Sequence, residues 1–143
     1  MARRFPLAGL LRLRHAEQDR AAAALATANE RVRDAADARI AARRNLADTE
    51  GPQPIQDAAT LSAVAAARAA TRGMLEELDA VARTRRADAD RAQDDYNAAR
   101  RSALGLEKLE VQHDEQQAAE DLRTEQNALD EIAARSRAEG GAR

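Results

Sequence analysis

Apolar positions recur at seven-residue spacing along most of this chain. In the first third Leu11, Gln18, Leu25, Val32, Arg39 and Leu46 share one position of the repeat, flanked by Ala21, Ala22, Ala28, Ala35, Ala36 and Ile40. Farther on, Leu61, Val64, Leu75, Leu78, Ala82, Ala89, Ala92, Tyr96, Ala99, Ala103 and Leu106 form a second line, interrupted by Arg68, Thr71 and Arg85. Such spacing lays an apolar stripe along one helix face and is the pattern of a coiled-coil seam. After Leu106 and Leu109 the spacing slips and resumes at Ala119, Leu122, Gln126, Leu129 and Ala133. That phase change is expected to loosen the supercoil locally. Most seam positions are alanine, which at roughly 25 cal/mol per Å2 of buried apolar surface contributes much less than leucine, so the pairing should be marginal along much of its length.

One stretch interrupts the helical pattern. Between Thr49 and Asp57 stand Gly51, Pro52 and Pro54. Gly51 can take the left-handed conformation that closes a helix, and each proline lacks the amide a continuing helix needs and pushes its predecessor out of the α region. Pro6 suits a helix start and Asp57 an N-cap. The expected architecture is all-α: a long antiparallel two-helix coiled-coil hairpin forming one elongated domain. Helix 1 is placed at about 7–49, the tip at 50–56, helix 2 at about 57–138 and a frayed tail at 139–143. Gly73 and Gly105 each cost about 1 kcal/mol against alanine inside a helix, but the apolar spacing holds on either side of both, so continuity is expected. At 1.5 Å per residue the helices would be roughly 60 Å and roughly 120 Å long, leaving the C-terminal part of the second without a partner. A helix with an uncovered apolar stripe is ordinarily one that awaits another molecule.

Composition supports a thin object over a globular one. Rings make up 1% of the chain, Phe5 and Tyr96 alone, too few to fill a core of this size, while abundant alanine with 34% charged residues is the composition of long helices. A net charge of -2 offers no bulk attraction to nucleic acid or anionic membrane. Locally the balance is uneven: residues 1–14 carry four arginines and no acid, Arg83, Arg85, Arg86, Arg91, Arg100 and Arg101 form a basic middle, and residues 107–131 carry nine acids against Lys108 and Arg123. The bland reading of these charges is solvated faces and i,i+4 pairs; the sharper one is docking patches. There is no cysteine, no apolar run of membrane-spanning length, and the segment 5–13 is too short and too interrupted by Arg12 for a signal peptide, so an intracellular protein is expected.

Catalysis is not expected. His15 and His113 are the only histidines, no phosphate-binding glycine loop or His-Glu-x-x-His pattern occurs, and a thin hairpin has no concave, water-excluding pocket. His113 beside Asp114 and Glu115 is read as an ordinary seam or surface position, not as a metal ligand, and no cofactor is expected. In the basic middle, Asp88, Asp90, Asp94 and Asp95 interleave with the arginines and no stacking platform is present, so nucleic acid is not the expected partner. Lipid insertion lacks its Trp or Phe anchors.

Both ends of the chain resemble a known family. The start, Phe5-x-Leu7-x-x-Leu10-Leu11-x-Leu13-Arg14 followed by Glu17, Arg20 and the run 21–25, is similar to the N-terminus of FliJ, the small coiled-coil protein of the flagellar type III export apparatus. Leu106-Glu107-Lys108-Leu109 and Gln126-Asn127-Ala128-Leu129-Asp130-Glu131-Ile132-Ala133 are similar to that family's closing helix. The resemblance implies an antiparallel two-helix rod like the central stalk of rotary ATPases. It implies a chain that enters the hexameric ring of the FliI-like export ATPase and promotes its assembly, contacts the FlhA-like export gate, and binds export chaperones. Its implied location is cytoplasmic, peripherally at the inner membrane beneath a flagellum. Phe5, Leu7, Leu10, Leu11, Leu13 and Arg14, with Leu129, Asp130, Glu131 and Ile132, match the family's terminal patterns and are the candidates for the ATPase contact; the competing reading is that they zip the hairpin end together. The family's gate contact uses aromatic and bulky residues in the distal half, where this chain offers Ile40, Leu46, Leu61 and Met74 and no ring, so no gate residues are carried over. Two other classes stay open: a self-associating coiled-coil scaffold, and the rotor subunit of an ordinary rotary ATPase, which the short length disfavours.

Overall fold

The computed structural model describes residues 4–51 and 54–140. Among them are two α-helices and no strand: α1, Ala8–Glu50, of 43 residues, and α2, Ala58–Gly140, of 83. The two helices pack together, and α2 runs unbroken through Gly73 and Gly105. Gly140 is still helical; Gly141 and the rest of the expected frayed tail beyond Gly140 lie outside the described residues, as do Pro52 and Gln53 of the tip.

The helix ends follow from local chemistry. Pro6 sits in a turn just ahead of α1, where the Ala8 N–H donates to the Phe5 carbonyl at 3.2 Å and the Leu11 N–H to the Leu7 carbonyl at 2.9 Å. At the other end the expected left-handed glycine is absent: among the described residues no glycine has a positive φ. Side chains cap α1 instead. The Thr49 hydroxyl contacts the carbonyls of Asn45 and Leu46 at 3.0 and 2.9 Å, Arg68 Nη2 donates to the Thr49 carbonyl at 3.4 Å, and Arg72 Nη2 to Glu50 Oε1 at 3.0 Å. With two arginines of α2 attending the terminal carbonyls and the last carboxylate, a Schellman turn is not required to satisfy this end. At the start of α2 the Thr60 N–H donates to Asp57 Oδ1 at 2.7 Å, the expected N-cap. That bond, then one with the Thr60 side chain, holds the Asp57 carboxyl below the usual aspartate range.

By contacts the chain divides into two units. In the unit Gln18–Ala98 the covered positions step alternately by three and four residues: 18, 21, 25, 28, 32, 35, 39, 42 and 46 on α1, and 64, 68, 71, 75, 78, 82, 85, 89, 92 and 96 on α2. This is the seven-residue seam in the expected phase. Ala22, Ala36 and Ile40 are not part of it; they stand off the three-four alternation and face solvent, while Ala42 is covered, and Leu61, although in phase with Val64 and Arg68, is also exposed. The ion pairs Arg39 with Asp79 and Glu50 with Arg72 take up residues in opposite order, so the helices run antiparallel here. The polar seam residues are only partly accommodated: Arg39 stands against Asp79, Arg68 Nη2 reaches Thr49 and the Thr71 hydroxyl donates to the Ala67 carbonyl at 3.0 Å, but Arg39 Nε, Asp79 Oδ1 and Arg68 Nε are covered without a hydrogen-bond partner.

The unit Met1–Glu17 with Ala99–Arg143 holds the two large buried side chains, Phe5 and Leu11, together with the fully covered Ala103. Here too the pairs Phe5 with His113 and His15 with Glu107 run in opposite order. Covered positions on α2 continue at 99, 103, 106, 110, 113 and 117 without a change of phase. The expected slip after Leu106 therefore does not occur: the seam goes on through the polar residues Glu110, His113 and Gln117, and Leu109 faces solvent. From 118 to 132 every residue is exposed, including Ala119, Leu122, Gln126 and Leu129, where the seam was expected to resume. Burial stops because no other described segment covers α2 there, whatever apolar residues it carries.

Candidate partner-docking surface

The ten residues singled out from the sequence separate into two groups. Phe5 and Leu11 are 9% and 6% exposed, and the Phe5 ring lies on His113 with centroids 5.6 Å apart. Both side chains are covered where the start of the chain packs on α2. Leu7, Leu10 and Leu13 on the same short stretch remain exposed, and Arg14 Nη1 is taken up locally by Glu17 Oε2 at 2.8 Å.

On α2, Leu129 and Ile132 are 66% and 63% exposed, Asp130 is exposed, and Glu131 pairs with Arg135 at 2.5 Å one turn on. None of them zips anything. Leu129 stands sixteen positions beyond His113, about 24 Å along a helix at 1.5 Å per residue, so the two groups of candidates are not brought together into one patch. Leu122, at 60% exposed, adds to the second group.

Sequence reasoning missed the polar contacts that join the helices. His15 Nε2 lies 2.7 Å from Glu107 Oε1, and Arg39 Nε lies 2.6 Å from Asp79 Oδ1. The second pair is close by distance, yet the two atoms are cut off from solvent without forming a hydrogen bond, so it is an ion pair of imperfect direction. It lines an open cleft of about 300 Å3 with Val32, Ala36, Ala82, Arg83 and Arg86, three guanidinium groups around one carboxylate. A signal for Arg39 was present, since an arginine at a seam position needs an acid opposite; which acid is set by the helix register, which spacing alone does not reveal.

Among the described residues no helix is long and apolar enough to cross a membrane. Leu122, Leu129 and Ile132 on α2 and Leu7, Leu10 and Leu13 near the start of α1 are among the large apolar residues left exposed. No family model, no curated protein and no solved structure matches the chain.

Proposed function

We propose that this chain is a non-enzymatic, stalk-like antiparallel coiled-coil hairpin whose longer, partly unpaired C-terminal helix is gripped by an export ATPase of the flagellar type III class. In this reading it promotes assembly or turnover of the ATPase hexamer and links it to the export gate and its chaperones, from the cytoplasmic side of the inner membrane. One observation carries it: among the described residues α2 is exposed at every position from 118 to 132, and holds Leu122, Leu129 and Ile132 in the open. Uncovered leucines on a continuous helix suit a partner that clasps and releases. The terminal motifs shared with FliJ supply the identity of that partner.

In this reading the candidates divide the labour. Phe5 and Leu11 keep the pair closed, whereas Leu129, Asp130, Glu131 and Ile132, with Leu7, Leu10, Leu13 and Arg14, stand accessible or half-accessible to a ring. The test is addition of the purified chain to an export-type ATPase. The expected result is faster turnover or more hexamer; unchanged turnover and unchanged assembly over a wide concentration range would overturn the reading. A self-associating scaffold is the competing class, and sedimentation equilibrium separates it: a stable dimer or tetramer speaks for the scaffold, a monomer for the stalk.

A further inference from the structure

The exposed apolar residues of α2 are not the continuation of the face that packs on α1. That face, followed past Gln117 at the same alternation, reads Glu120, Thr124, Asn127 and Glu131, all polar. The leucines fall on another line, which starts while α1 still covers the first: Leu104, Val111, Leu122, Leu129 and Ile132, with Lys108, Glu115, Ala118 and Glu125 filling the intervening steps of three and four. All five large residues are exposed. At 100° per residue this second line is centred about 150° around the helix from the first, so it looks away from α1. It spans four heptads, about 42 Å at 1.5 Å per residue. Around its first two members, Leu104, Glu107, Lys108, Val111 and Gln112 line a shallow depression with about 400 Å3 of free space.

We infer that this outer line is a docking seam for one elongated partner element, a basic amphipathic helix lying alongside α2. The length and three-four alternation are those of a helix-on-helix contact, and charge selects the occupant. Residues 107–131 carry nine acids against Lys108 and Arg123, and Glu115 and Glu125 stand within the line itself. A second copy laid seam to seam would oppose acid with acid, and an anionic lipid surface would be repelled likewise. A helix bearing leucines flanked by lysine or arginine meets both the apolar and the charged requirement.

The inference shares Leu129 and Ile132 with the ATPase reading but does not depend on it, and the experiment keeps the two apart. The probes are two labelled synthetic 28-residue helical peptides with the same leucine heptads, one with lysine and arginine at the flanking positions and one with glutamate, titrated against the full chain by fluorescence anisotropy. The lysine peptide is expected to bind and the glutamate peptide not. The Leu122→Asp/Leu129→Asp variant, which changes exposed positions and leaves the helix pair intact by circular dichroism, is expected to weaken binding at least about tenfold through lost apolar burial. Leu61→Asp, an exposed leucine elsewhere on α2, is expected to leave it unchanged. The sign decides the mechanism: the variant adds two acids, so attraction by charge alone would grow stronger, and stronger or unchanged binding overturns the seam. Binding of both peptides alike overturns the charge assignment. A concentration-dependent dimer that the same variant abolishes gives the seam to a second copy and overturns the inference. ATPase stimulation surviving in Leu122→Asp/Leu129→Asp, with the peptide lost, supports the seam and takes Leu122 and Leu129 out of the ATPase contact.

Discussion

The Phe5 ring rests on the imidazole of His113, centroids 5.6 Å apart and planes tilted by 60°. With Leu11 it makes the only place, among the described residues, where the two helices bury large side chains between them; the other buried positions, Ala35, Ala42, Ala89 and Ala103, are all alanine. Stability is therefore concentrated at this end. Phe5→Ala is expected to cost about 2–4 kcal/mol, nearer the low end because Phe5 is 9% exposed rather than fully buried, and Leu11→Asp at least as much. Urea titration followed by circular dichroism measures both, and a change under half a kcal/mol for either would show that the alanine seam carries the pair by itself.

Arg39 and Asp79 invite a second test. The two paired atoms are covered, but their side chains as a whole are 32% and 38% exposed, so the Coulomb term is partly screened. A double-mutant cycle over Arg39→Ala and Asp79→Ala is expected to return a coupling of about 0.5–1 kcal/mol. Replacing both by apolar residues, Arg39→Leu with Asp79→Ala, is expected to raise the melting temperature, because an ion pair without good hydrogen-bond direction is readily bettered by packing. A lower melting temperature in that variant would mean that the pair sets the register of the helices.

Gly73 and Gly105 lie inside α2, and a Cβ built on either meets nothing within 4 Å. Alanine there restricts the unfolded chain without a clash, so Gly73→Ala and Gly105→Ala are each expected to stabilise by about 0.5–1 kcal/mol, additively since they are far apart in sequence. Loss of stability at Gly105 would reveal a required bend that the continuous helix does not display.

The seven-residue phase of both seams was legible from spacing, because Leu11, Leu25, Val32, Leu75, Leu78 and Leu106 mark it unambiguously. Which alanines lie inside was not. Alanine carries no polarity contrast on a helix this rich in it, so Ala36 and Ala42 read alike although only the second is covered. That the C-terminal part of α2 goes uncovered was legible from the unequal helix lengths, but the residue at which cover ends was not, because Leu122 and Leu129 have the look of core residues. The cap on α1 escaped for a related reason: Gly51 is a local signal, whereas Arg68 and Arg72 act from another helix. In the candidate surface, residue types pointed to the right stretch but could not divide the residues that close the pair from those left free.

The Asp57 cap carries a pH signature. Its carboxyl is held below the ordinary value of 3.8 by the Thr60 N–H and then by the Thr60 side chain. A depressed folded-state value means the cap contributes fully above 3.8 and is lost as pH falls through the lower folded-state value. Asp57→Asn keeps an acceptor for the Thr60 N–H and has no proton to take up there. The difference in melting temperature between the original chain and Asp57→Asn is therefore expected to be flat from neutral pH to about pH 4.5 and to shift in favour of Asn below that. A difference that stays constant down to about pH 2.5 would remove the carboxylate from the account of this helix start.

Asp130 separates holding from docking. It is exposed and has no part in the helix pairing, so Asp130→Ala is expected to leave the circular dichroism spectrum and urea midpoint within error of the original. If an export-type ATPase grips α2 at this point, the same variant raises the concentration needed for half-maximal stimulation, whereas Leu11→Asp disturbs spectrum, midpoint and stimulation together. Equal damage to the spectrum by both substitutions would make position 130 a structural one and would detach the terminal motif from any partner. Unchanged stimulation by Asp130→Ala, with stimulation itself present, would move the grip toward Leu122 or back to Leu7 and Leu10, the other uncovered leucines of the same unit.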